Sequence, residues 1–142
     1  MELMTTLAVI GLFFAIALPG YTAILERQNV SRARVDLLNL ASLIERYRSI
    51  RFELPESLDE LGSDLPKDPW GRDYQYLSFD SPAPGTQGKI RKDHNLHPLN
   101  TEFDLYSLGK DGESRAPLTA RASHDDVIYA RDGHFVGLAE DF

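Results

Sequence analysis

The chain has no cysteine, one tryptophan and two methionines. Without thiols there is no disulfide scaffold, no iron–sulfur site and no thiol nucleophile. Positive charge is the scarcer sign: 15 Lys and Arg stand against 22 Asp and Glu, a formal charge of −7. That balance provides no general polyanion-binding surface and argues against nucleic acid as a partner. There is no G-x-S-x-G nucleophile elbow, and Gly85-Thr86-Gln87-Gly88 lacks the lysine and helix start of a phosphate loop. His94 and His97, beside Pro98 and without a second ligand pair, read as solvated loop histidines rather than a zinc site. No catalytic constellation emerges, and the chain reads as a non-enzyme.

Charge is also absent from one long stretch. No charged residue occurs from Leu3 to Leu25, between Glu2 and Glu26. A helix of that length spans about 34 Å, enough for a hydrocarbon core of roughly 30 Å. A secretory signal peptide would need a basic start and a shorter apolar run, so this reading is weak. A plain membrane anchor fits the length but does not require Glu2, because a carboxylate at the start of a span is costly unless it is paired. Pro19 predicts a kink or local unwinding. Beyond it the helical pattern resumes: Ile24, Val30, Ala33, Leu37, Leu40, Ala41, Ile44 and Tyr47 recur at three- and four-residue steps. One helix is therefore expected from near residue 2 to about Arg51, apolar all round in its first half and amphipathic in its second.

The remainder predicts short strands and long loops. Ser57-x-x-Glu60 reads as a capping box opening a helical turn. Tyr74, Tyr76 and Ser78 alternate as a strand, as does Thr101–Ser107. Val127–Ala130 and His134–Leu138 read as a hairpin turning at Arg131-Asp132-Gly133. Asp80 to Asn100 reads as a long loop, with Lys89, Arg91 and Lys92 as a solvated basic cluster. Trp70 and its neighbouring tyrosines read as core. The fold class is α+β, a long N-terminal helix packed on a small antiparallel β-sheet, with residues 1–25 as the spanning half and 26–142 as the globular part.

Glu2-Leu3-Met4 followed by Ala17-Leu18-Pro19-Gly20-Tyr21 resembles the N-terminal signature of the type IV pilin and pseudopilin family. Leu65-Pro66-Lys67-Asp68-Pro69-Trp70-Gly71 and Phe103-Asp104-Leu105-Tyr106-Ser107-Leu108-Gly109-Lys110-Asp111-Gly112 are similar to the major pseudopilins of type II secretion. The resemblance covers nearly the whole chain. It implies a structural subunit, held in the bacterial inner membrane with its domain in the periplasm and assembled into a helical filament. The partners it implies are copies of the chain, other pilin-like subunits and inner-membrane assembly proteins. Family members carry a basic leader and a phenylalanine ahead of the glutamate, both expected upstream of Met1. Taken alone, Arg27, Arg32 and Arg34 after the span would place the domain in the cytoplasm, and such a leader reverses that orientation.

The resemblance assigns assembly to Glu2, which pairs with the N-terminal amine of an adjacent subunit. It assigns unwinding on assembly to the stretch between Gly11 and Pro19, with a continuous or gently kinked helix in the isolated subunit. It also implies calcium, bound by the Leu108 carbonyl, Asp111, Asp125 and Asp126. The spacing by itself shows only a glycine-containing turn facing a pair of aspartates, which also suits a solvated loop. Two other functions fit the same features: a type IV pilus subunit for adhesion or twitching, and a monomeric, membrane-anchored calcium-binding domain.

Overall fold

The computed structural model describes residues 2–80 and 85–142, and of Glu2 the backbone only. The expectations for Met1 and for the Glu2 side chain, and Pro82 and Pro84 of the long loop, lie outside the described residues.

Helix α1 runs unbroken from Glu2 to Arg51, with Pro19 inside it. This is the continuous helix expected of an isolated subunit. From Leu3 to Leu25 its large apolar side chains stand exposed, Phe13 at 69% and Ile16 at 69%, and no other described part of the chain covers them. The apolar window of mean hydropathy 2.1 is long enough to cross a membrane. The second half differs. Ala33, Leu37, Leu40, Ala41 and Ile44 are all buried, at the three- and four-residue spacing that puts them on one face.

That face packs on a four-stranded antiparallel sheet of β1 (Gln75–Ser78), β2 (Phe103–Ser107), β3 (Val127–Ala130) and β4 (Phe135–Leu138), each strand paired with its neighbour in sequence. The expected strands are present, each starting within two residues of its predicted position. Alternation along β2 assigns its faces. Phe103 and Leu105 join Val127 and Val136 against the helix, and Phe103 stacks on Tyr129 at 5.7 Å. Tyr106 and Ile128 face the other way, onto Leu99, Leu118, Ala130 and Ala139. The sheet is thus a middle layer, with α1 on one face and the long loop on the other.

Three local expectations change. Residues 58–61 form a 3-10 turn, but the Ser57 side chain does not cap it, and Glu60 instead accepts the Tyr47 hydroxyl at 2.7 Å. The long loop contains a short helix, α2 (Thr86–Lys89), and Lys92 bridges to Pro117. The basic cluster is only partly a solvated face: Lys89 and Lys92 are exposed as expected, but Arg91 is 2% exposed, drawn inside by carboxylates beneath the loop layer. Trp70 packs against the helix-facing core as expected.

Candidate functional site

The turn after β2 is set by Asp68. Its carboxylate accepts the backbone N–H groups of Trp70 and Arg72 at 3.1 and 2.8 Å, and the Ser107 hydroxyl at 2.7 Å. Ser107 Oγ in turn accepts the Gly109 N–H at 3.2 Å. The Asp-Pro-Trp-Gly turn is thereby tied to the end of β2. Arg72 completes the tie, donating to the carbonyls of Gly109 at 2.7 Å and Lys110 at 3.3 Å.

Against this turn lies Asp125, whose Oδ2 accepts the Asp111 N–H at 2.9 Å. Gly109 has φ +63°, and a Cβ on it would stand 2.1 Å from the Asp125 carbonyl oxygen. Only glycine fits that approach. The Asp111 carboxylate accepts the Glu113 N–H at 2.8 Å, and the Leu108 carbonyl accepts the Gly112 N–H at 3.2 Å. Leu108, Asp111 and Asp125 are thus gathered on one small, partly exposed edge. Among the described residues no three His, Cys, Asp or Glu side chains converge closely enough to hold an ion as they stand.

Asp126 points elsewhere. It is fully buried, and its Oδ2 takes the Arg91 guanidinium at 2.5 Å and the Ser114 hydroxyl at 2.6 Å. Arg91 also donates to Ser114, stacks 4.2 Å over the Tyr106 ring, and gives its backbone N–H to Asp104 Oδ2 at 2.6 Å. Asp104 further accepts from Asn100 at 3.2 Å. Asp126 Oδ1 and Arg91 Nε remain buried without partners. Burial raises both carboxyls to about 6, with the contacts to Arg91 pulling the other way. One guanidinium therefore joins the loop layer to the sheet, and it carries the positive charge that Asp126 needs.

Arg91 and Asp68 were missed as structural residues: Arg91 sits beside Lys89 and Lys92, and Asp68 lies in a proline-rich turn where nothing marks its carboxylate as buried. No periodic signal marks either, although the Asp-Pro-Trp-Gly turn was visible. The exposed apolar half of α1, with Gly11 and Pro19, lies where the sequence places it.

No protein-family profile and no solved structure matches the chain. Curated relatives do match. A type II secretion system core protein G of Pseudomonas aeruginosa is 28% identical over 133 aligned positions, covering 79% of this chain and 81% of the relative. The protein of that name in Vibrio cholerae is 26% identical, covering 80% and 79%. That of Aeromonas hydrophila is 25% identical, covering 80% and 82%.

Two expectations follow from the buried network. Arg91→Met leaves Asp126 buried and unpaired, and should cost about 3–5 kcal/mol in urea unfolding of the domain from Glu26 on, whereas the double change Arg91→Met with Asp126→Leu should recover much of the loss. Asp104 holds its proton more tightly folded than unfolded, so the stability it adds is full below its ordinary value of 3.8 and is lost as pH rises through about 6. The advantage of Asp104→Asn over the native chain should therefore grow between pH 4 and 7 in thermal melts; a constant difference would contradict the assignment.

Over four-fifths of its length, and with a half-exposed apolar helix packed on a four-stranded sheet, this chain is similar to the core protein G of type II secretion systems.

Proposed function

We propose that the chain is the repeating structural subunit of a periplasmic pseudopilus, anchored in the bacterial inner membrane by α1 before assembly. The observation that carries this reading is the division of α1. Residues 3–25 expose large apolar side chains along their whole length, while residues 30–44 are fastened to the domain. Such a helix needs an apolar surrounding for one end and water for the other. A bilayer supplies it before assembly, and the packed apolar helices of neighbouring subunits supply it in a filament. The relatives' name supports the same role in type II secretion. The domain lies in the periplasm, the other partners are further pilin-like subunits and inner-membrane assembly proteins, and no catalysis is involved. The stretch between Gly11 and Pro19, weakened at both ends, unwinds when the helices pack together.

Calcium is the cofactor this reading proposes. The turn offers only oxygen donors, the chemistry that calcium takes: the Leu108 carbonyl and the carboxylates of Asp111 and Asp125. Those residues fit a partly solvated ion completed by water. Asp126, neutralised by Arg91, would hold the loop behind them. Bound calcium would offset the repulsion between Asp111 and Asp125 and fasten the turn to the start of β3.

Two measurements test these proposals. Glu2→Ala should leave the protein in the membrane with its domain stability unchanged, yet abolish filaments in electron micrographs; normal filaments from that variant would remove Glu2 from assembly. Millimolar calcium should raise the melting temperature of the domain, since a ligand at a hundredfold above Kd adds about 2.7 kcal/mol. Asp125→Ala should remove most of that shift and Asp93→Ala should not. Equal melting with calcium and with chelator would dismiss the site.

A further inference from the structure

Helix α1 ends in a costly arrangement. Phe52 closes the helix by giving its N–H to the Arg48 carbonyl at 2.7 Å, and does so at φ +62°. This left-handed position suits glycine and strains a bulky side chain. The strain is not repaid by packing, because Phe52 is 92% exposed and Ile50 beside it is 66% exposed. Phe52 and Tyr47 flank a cleft of about 390 Å3 edged by four carboxylates, Glu53, Glu56, Glu60 and Asp80. Arg51, 5.7 Å over the Tyr47 ring, offsets only part of that charge. An exposed aromatic thus stands at the rim of an acidic cleft.

The complementary surface is on the same chain. Arg27 and Arg34 are exposed and make no ion pair among the described residues, while Arg32 is engaged by Asp36. At about 100° per residue, Arg27, Arg34 and Leu38 fall within about 40° of one another on the helix. Leu38 is 47% exposed. This basic and apolar stripe lies roughly a quarter turn from the buried seam, and Tyr47, the helix residue that lines the cleft, falls about 160° from Arg27 by the same count. The two surfaces therefore never meet within one subunit.

We propose that the Phe52 cleft of one copy receives the Arg27–Arg34–Leu38 stripe of a second copy. This rests on the filament reading and gives it a contact. Subunits drawn from one membrane share an orientation, so their helices run parallel. The contact then offsets the helices by 14 to 25 residues, about 21–38 Å at 1.5 Å per residue. It joins two different faces, so it does not close into a dimer, and each copy offers a free surface to the next. Phe52 supplies the apolar anchor, and the carboxylates match the arginines and fix the register.

The absence of cysteine makes the test direct. The full chain is expressed with the secretion apparatus, and filaments are collected from the native chain, from Phe52→Cys, from Leu38→Cys and from the double variant. Mild oxidation, or a short bis-maleimide, should convert the double variant into a ladder of covalent multimers, with neither single variant going beyond a dimer. Phe52→Gly relieves the backbone strain, so the subunit should melt at or above the native temperature while filament yield falls at least tenfold. Arg34→Glu should likewise lose filaments and regain them with Glu53→Arg. Filaments from the double-cysteine variant without a ladder, or native yield from Phe52→Gly, would overturn this contact and leave the filament reading standing. No filaments from the native chain would overturn the filament reading, and the contact with it.

Discussion

Everything in this subunit depends on the seam between the second half of α1 and the sheet. Ala33, Leu37, Leu40, Ala41 and Ile44 bury one face of the helix against Phe103, Leu105, Val127 and Val136. Because the helix is continuous, that seam also fixes where its exposed apolar half projects from the domain. One helix is thereby bound to two environments. The domain covers one face of its C-terminal half, and its apolar N-terminal half is left exposed. A loosened seam would free the anchor from the body it carries.

The second face of the sheet follows a different rule. It has a smaller apolar cluster, centred on Ile128 and Leu118, and completes its cover with polar groups. Asp104 and Asp126 are buried there, and Arg91 answers both. A buried charge of this kind adds little net stability, but removing one member alone is expensive. The arrangement holds the loop layer in a single position, and the edge formed by Leu108, Asp111 and Asp125 is held with it.

Much of this was legible beforehand. The apolar run, the resumption of helical spacing after Pro19 and the alternating strands give direct periodic signals, because burial repeats with the geometry of helix and strand. The approach of Asp111 and Asp125 was implied by the resemblance, whereas the spacing alone suited a solvated loop as well. The loop layer was not legible. Arg91 lies in a run that also contains Lys89 and Lys92, and only Arg91 turns inward, because the carboxylates that receive it come from β2 and from the residue preceding β3. Asp126 is next to Asp125 in sequence yet faces the interior, since consecutive residues entering a strand point to opposite sides. The unfilled Ser57 cap has the same kind of cause, as Glu60 is claimed by Tyr47 from the helix.

The order of the strands bears on when the domain can close. The meander pairs each strand with the one before it, so the sheet can grow by local steps. The helix, first in the chain, makes its most extensive contacts with β3 and β4. Its apolar seam therefore stays uncovered through synthesis, until Phe135–Leu138 has joined the sheet. The apolar half of the helix is complete first and the sheet last, so the apolar half is available to an apolar surrounding before tertiary structure can compete for the helix.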